Sequence, residues 1–226
     1  MFYAFVKLFF RPLVRIYLRL RTEGVGNVPL RGPALIAANH ASFLDPIVLG
    51  SACPRRIHFI VLQSMYDWWR LRWFYWGMQT IPVRGDEGGD PRAVKQALSR
   101  LRRGGLVGIF PEGGRSRDGF LHPPKPGAAL LAAASGVPVI PVHIDGSWAA
   151  WKPGTWFPVP GRVRVRFGEA VRFESGKKKR RDREAMEDFS RRLMEAIADL
   201  SLEEESESAD PGGGERAAAP GLPRNA

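Results

Sequence analysis

The 226-residue sequence has a single cysteine, Cys53, and four histidines, His40, His58, His122 and His143. A disulfide framework is excluded on that count, as is a cysteine-rich zinc cluster, and a reducing, cytoplasmic-side setting fits. No Asn-x-Ser/Thr acceptor, Gly-x-Ser-x-Gly elbow, His-Glu-x-x-His helix or Walker A loop occurs, so several large enzyme classes drop out together. Acidic residues are scarce: 23 Asp and Glu stand against 34 Lys and Arg, a net charge of +11. Residues 201–226 hold six acidic and two basic residues, a charge of -4, so the preceding 200 carry +15. A body that basic is expected to meet phosphate, on nucleic acid, on a membrane surface or on a small substrate.

Long apolar runs are also missing from the amino terminus. Of the first 20 residues 15 are apolar or aromatic, yet Lys7, Arg11, Pro12, Arg15 and Arg19 interrupt them, and the longest run there is the opening six. A span needs roughly 18 to 20 in a row. A secretory signal places its charges before the apolar stretch and small residues at its end, the reverse of this order. The cations recur every fourth residue, which on a helix gathers them into one stripe and leaves Phe2, Phe5, Phe9, Leu13, Ile16 and Leu20 for other faces. The expectation is an amphipathic helix over residues 1–22, lying in the plane of an anionic membrane surface or packed on the protein's own core. A second aromatic stretch, Tyr66 to Trp76, has seven aromatic side chains in eleven positions and reads equally as an interfacial or a buried helix.

What remains is ordinary globular material, 44% apolar and 25% charged, enough for one domain with a core. Short apolar runs at 33–38, 57–61, 80–83, 106–110 and 138–142 read as buried strands. Between them Pro91 to Arg103, closed by Gly104-Gly105, and Gly127 to Ser135 read as helices. Alternating strands and helices imply an α/β domain with a largely parallel sheet, its ligand held by loops at the carboxyl ends of the strands. Arg162 to Phe167 alternates basic and apolar, as a half-exposed strand near an edge would. Asp182 to Leu200 is expected to be a final amphipathic helix, with the Lys177–Arg181 run before it a solvated linker and residues 201–226 an acidic, Gly/Ala/Pro-rich disordered tail.

Two clusters carry chemistry. Asn39-His40-Ala41-Ser42-Phe43-Leu44-Asp45 follows a predicted strand, and a turn encouraged by Pro46 is needed to bring His40 and Asp45 together. Held by a carboxylate, a neutral imidazole serves as a general base; Asp45 also reads as a helix cap, and the two roles are compatible. Phe110-Pro111-Glu112-Gly113-Gly114-Arg115-Ser116 follows another strand.

Together these resemble the PlsC-type glycerolipid acyltransferases, of which the 1-acyl-glycerol-3-phosphate (lysophosphatidic acid) acyltransferases are the type. The Asn-His-x-Ser-x-x-Asp block is complete in Asn39, His40, Ser42 and Asp45, and the Phe-Pro-Glu-Gly-Thr-Arg-Ser block agrees at six of seven positions, with Gly114 in place of the hydroxyl residue. Ile81-Pro82-Val83-Arg84 approximates the second block one residue short, Pro138 to Val142 the fourth, and Lys125 with Gly127 the Lys-x-Gly that follows the third. The likeness runs from about Leu20 to Val171.

The resemblance implies a central, largely parallel or mixed sheet flanked by helices, with residues 23–200 as the acyltransferase domain. It implies transfer of a fatty acyl group from coenzyme A or acyl carrier protein thioester to the hydroxyl of a lyso-acceptor, with no metal and no cofactor beyond that co-substrate. His40 is then the base and Asp45 its partner; Arg84 and Arg115 suit the acceptor phosphate, Glu112 a glycerol hydroxyl or the orientation of Arg115, and Gly113-Gly114 amides or Lys125 the oxyanion. Asn39, Ser42, Phe110, Pro111 and Ser116 support the loops. The implied place is the cytoplasmic face of the cell membrane, peripheral or monotopic, with an anionic surface and a lysophospholipid as partners. A lyso-ornithine lipid or glycolipid acceptor is the alternative, and a basic, Trp-rich binding protein the reading from another class. Nucleic acid is not expected, because no motif for it is present.

Overall fold

A computed structural model describes residues 2–67, 69–85, 90–152, 154–174 and 179–208. In chain order the elements are α1 (Phe2–Tyr17), β1 (Arg21–Glu23), β2 (Ala34–Ala38), α2 (Asp45–Ala52), β3 (Ile57–Leu62), α3 (Gln63–Asp67) and α4 (Trp69–Met78). Then follow β4 (Ile81–Val83), α5 (Pro91–Arg102), β5 (Leu106–Ile109), α6 (Gly127–Ser135), β6 (Val139–Asp145), α7 (Ser147–Ala150), β7 (Arg164–Phe167) and α8 (Lys179–Ser208). The seven strands form one sheet in the order β1-β7-β6-β2-β5-β3-β4. Its five strands from β6 to β4 are parallel, and only β6 and β7 pair antiparallel.

Helices cover both faces because β2 is apolar on both. Ile36 and Ala38 pack with α1 and α2 residues such as Val14, Val48 and Leu49, whereas Leu35 and Ala37 pack with α5, α6 and α8 through Leu101, Ala129, Phe189 and Leu193. A continuous apolar run in place of an alternating one is what a strand buried on both faces requires. Chain leaving β2 turns through α2 to one face, and chain leaving β5 turns through α6 to the other. The crevice between the carboxyl ends of β2 and β5 is therefore a topological switch point, where open α/β sheets bind ligands. Gly108 lets β5 sit there, since a Cβ would come within 2.6 Å of the Ile57 side chain and 2.7 Å of Phe59.

Three expectations change. Arg164–Phe167 lies next to an edge, as expected, but is not half-exposed: the unforeseen β1 covers its outer side, and Arg166 is buried, donating to Glu23 and to the Leu200 carbonyl. Residues 201–208, assigned to the disordered tail, continue α8, in keeping with the strong helix preference of Leu and Glu. Of the basic run, Lys179–Arg181 open that helix; residues 177–178, Trp68 and the tail at 209–226 lie outside the described residues.

The amino-terminal helix ends at Tyr17, and Arg19 in a left-handed conformation (φ 42°) turns the chain into β1. Its cations do not all lie on one exposed face. Lys7 faces the body, donating to the carbonyls of Cys53 (2.8 Å) and Pro54 (3.0 Å) at the carboxyl end of α2, where a cation is favoured. Arg11 is half-buried, while Leu8, Leu13 and Ile16 point outward, Ile16 with 79% of its surface exposed. Packing against α2 and an exposed apolar face thus coexist on one helix. Trp73 and Trp76 are exposed on α4, which contacts α1. Among the described residues no helix is long and apolar enough to cross a membrane.

Candidate active site

His40 lies two residues past β2 and Glu112 three past β5, on adjacent central strands. The chain turns at Ser42 so that Asp45, fully buried at the start of α2, reaches back: one carboxylate oxygen accepts from His40 Nδ1 (2.8 Å) and from the amides of Ala41 and Ser42 (2.7 Å each). These amides precede the helix, so Asp45 holds the His40 loop and makes no side-chain cap of its own helix. An ionised carboxylate only accepts, which places the neutral imidazole's proton on Nδ1 and leaves the Nε2 lone pair for a substrate proton. The ring stacks on Phe110, centroids 4.0 Å apart, and Phe110 stacks on Phe59. Orientation and tautomer of the His40 ring are thereby both fixed.

The surrounding loops are pinned by side chains that the sequence could only name as motif members. Asn39 exchanges two hydrogen bonds with the Ile144 backbone on β6, accepting at 2.7 Å and donating at 2.9 Å. Ser42 donates to the Trp151 carbonyl. The Ser116 amide donates to the His40 carbonyl (2.7 Å), joining the two blocks directly. Glu112, 7% exposed, accepts from the His40 amide with one oxygen (2.7 Å) and from the His122 amide with the other (3.1 Å). It braces the His40 loop. Burial raises its carboxyl above the usual glutamate range, against the lowering pull of those two amides.

Beside this brace lies a pocket of about 400 Å³ lined by Gly113, Gly114, Arg115, Arg117, His122 and Lys125, among others. Gly113 is left-handed (φ 68°), and a Cβ there would stand 2.5 Å from Lys125 Cδ, so glycine is what lets the lysine stem lie across the loop. Its amide is spent on the Phe110 carbonyl (3.0 Å), which leaves the Gly114 amide and the Lys125 ammonium as oxyanion donors to test. Arg115 lies over the Phe43 ring, 3.4 Å from its centroid. Partial burial lowers its pKa, and the nearby Asp45 charge opposes that shift. A guanidinium, a second one at Arg117 and an ammonium around one pocket suit a phosphate group.

Arg84 is not brought to this pocket. It follows edge strand β4, three strands or roughly 14 Å from β2 by the usual strand spacing, and its amide donates to Asp90. Arg117, Asp118 and His122 line the pocket without having been singled out. Their only sequence signal was position directly after the third block. His122 is paired with Asp118 (2.9 Å), which raises its pKa. Among the described residues no group of three or more His, Cys, Asp or Glu is placed to hold a metal ion.

The chain is similar to known proteins. A chloroplastic 1-acyl-sn-glycerol-3-phosphate acyltransferase of Brassica napus is 34% identical over 127 residues, covering 55% of this chain and 37% of that protein. The enzyme of that name from Bacillus subtilis is 29% identical, covering 53% and 59%, and that from Pseudomonas aeruginosa 27% identical, covering 70% and 61%. The chain thus spans between about a third and three fifths of these relatives' lengths. In fold it is similar to the 1-acyl-sn-glycerophosphate (LPA) acyltransferase PlsC from Thermotoga maritima, with a TM-score of 0.67 at 24% identity over 93% of this chain and 81% of that one. The family model described as Acyltransferase matches residues 19–145, a span that begins just past α1 and takes in both the His40–Asp45 pair and the Glu112 loop: the chain belongs to the Acyltransferase family.

Proposed function

We propose that this protein transfers a fatty acyl group from a thioester to the free hydroxyl of 1-acyl-glycerol-3-phosphate, giving phosphatidic acid. The observation that carries this is the Asp45-His40 pair, its Nε2 available, beside a pocket walled by Arg115, Arg117 and Lys125. His40 takes the hydroxyl proton as the oxygen attacks the thioester carbonyl carbon, and Asp45 stabilises the imidazolium. The tetrahedral oxyanion is met by the Gly114 amide or Lys125. On collapse the carbon–sulfur bond breaks and the thiolate takes its proton from His40, so the residue ends as it began. The phosphate sits against Arg115 and Lys125. The names of the relatives support this acceptor.

The outward apolar face of α1 supports a site at a bilayer. Leu8, Leu13 and Ile16 are exposed where the helix is otherwise docked, Trp76 on α4 extends the surface, and Arg15 and Arg19 stay exposed to meet anionic headgroups. Association is peripheral or monotopic and on the cytoplasmic face, where both donors are found. The test is an acceptor panel on anionic liposomes with acyl-coenzyme A, using lysophosphatidic acid, a lyso-ornithine lipid, a lyso-glycolipid or none, with products identified by mass. Phosphatidic acid formed only with lysophosphatidic acid is the expected result. Product from another lyso-lipid alone moves the acceptor assignment, which Gly114 makes the specific alternative to examine.

A further inference from the structure

We propose that the groove between α5 and α6 docks an acidic, water-soluble acyl carrier protein that presents the fatty acyl thioester to His40. The inference rests on the acyl-transfer reading above and assigns the donor's docking surface. The groove has a volume of about 490 Å³, with Val94, Leu98 and Leu130 among its apolar lining and Lys95 and Arg102 at its rim. Asp90 also lines it, but its carboxylate is committed to the amides of Arg84, Arg92 and Ala93.

Charge complementarity selects the occupant. Residues 91–103 contain five cations, Arg92, Lys95, Arg100, Arg102 and Arg103, and no acid. All but Arg100 are exposed. A half-buried apolar strip between exposed cations fits an amphipathic helix whose polar face is acidic, and long-range attraction of that sign speeds docking.

Position separates a protein from a lipid surface. α5 and α6 pack on the opposite face of the sheet from α1, so the groove looks away from the apolar face assigned to the bilayer. It nevertheless abuts the chemistry. Lys125, in the catalytic pocket, is two residues before the start of α6, and Leu130 lies roughly 4.5 Å along that helix from Gly127. A small thioester needs only the pocket; a carrier protein needs a wall beside it, and the prosthetic thiol leaves on the carrier when the acyl group moves to the acceptor.

The test is a two-donor comparison with the whole protein on liposomes. Acyl carrier protein from the same cells and coenzyme A are loaded with the same acyl chain, and wild type is set against the Lys95→Glu, Arg102→Glu double variant. The expected result is a kcat/KM for the carrier-protein donor lower by about ten-fold or more, with the acyl-coenzyme A value within about two-fold. In wild type, added salt depresses the carrier-protein rate more steeply. Equal change with both donors overturns the proposal, as does wild-type turnover of acyl-coenzyme A without turnover of the carrier-protein donor. Loss of sedimentation with anionic vesicles in the double variant would overturn it too, assigning the groove to the membrane. Wild type that uses neither donor would defeat the acyl-transfer reading itself, and this inference with it.

Discussion

At the scale of single residues, the oxygen of Asp45 that meets His40 also accepts two backbone amides, so it sets the loop and the imidazole together. Asp45→Asn keeps the volume but loses the charge that stabilises the imidazolium, and kcat should fall by about 10²- to 10⁴-fold with the donor KM little changed. Steady-state kinetics check this. Glu112→Gln is predicted to act differently, because Gln offers one acceptor where two amides need one each, and the unpaired amide should cost about 1–3 kcal/mol. Its pH signature follows from the raised carboxyl pKa. The folded protein binds that proton more tightly than the unfolded chain, so this group's contribution is full below the ordinary glutamate range and is lost as pH rises through the folded-state value. Denaturant titrations across that window should show a decline with pH in wild type that is shallower in Glu112→Gln. Gly114 is the converse case. A Cβ there would meet nothing within 4 Å, so Gly114→Thr should leave stability within about 0.5 kcal/mol while changing the acceptor KM.

At the scale of elements, Gly108→Ala in β5 would force a Cβ against Ile57 and Phe59, whose stack supports Phe110 and through it His40; unfolding should be easier by about 1–3 kcal/mol. For α1 the variant Leu13→Glu, Ile16→Glu should abolish sedimentation with anionic liposomes and leave the circular dichroism spectrum unchanged, since neither side chain is in the core. Fully immersed, each contributes about 1.5–3 kcal/mol to binding. The elements show where sequence is informative. Buried strands of a parallel sheet are continuous apolar runs, so β2, β5 and β6 were legible to within a few residues, and α6 was legible at both ends through its flanking glycines. β1 was not. Three residues, Arg-Thr-Glu, have no periodicity, and only pairing with β7 makes them a strand. The same pairing hides Arg166, whose alternation with apolar residues reads as a half-exposed face. The spacing of the cations on α1 gives a stripe, but only the carbonyls of Cys53 and Pro54 decide that Lys7 turns inward.

At the scale of the whole molecule, two surfaces on opposite faces of one sheet flank a crevice between β2 and β5. One face bears the apolar side of α1, the other the basic groove of α5 and α6, and the catalytic loops open between them. The site was legible in sequence to the extent that its two blocks sit at the exits of adjacent strands, and the fold brings His40, Asp45, Glu112 and Arg115 together. What the blocks did not contain was their mutual bracing by Glu112 and Ser116, or the placement of Arg84 on the far edge. Both depend on strand order, which no local pattern encodes. The central claim is that His40 is the base for acyl transfer, and it is tested most directly by thiol release from acyl-coenzyme A with lysophosphatidic acid on anionic liposomes, comparing wild type with His40→Ala. The account predicts release by wild type that requires the acceptor, and its loss in a variant whose thermal unfolding and liposome binding are unchanged. Acceptor-dependent release that persists in folded, membrane-bound His40→Ala would contradict it.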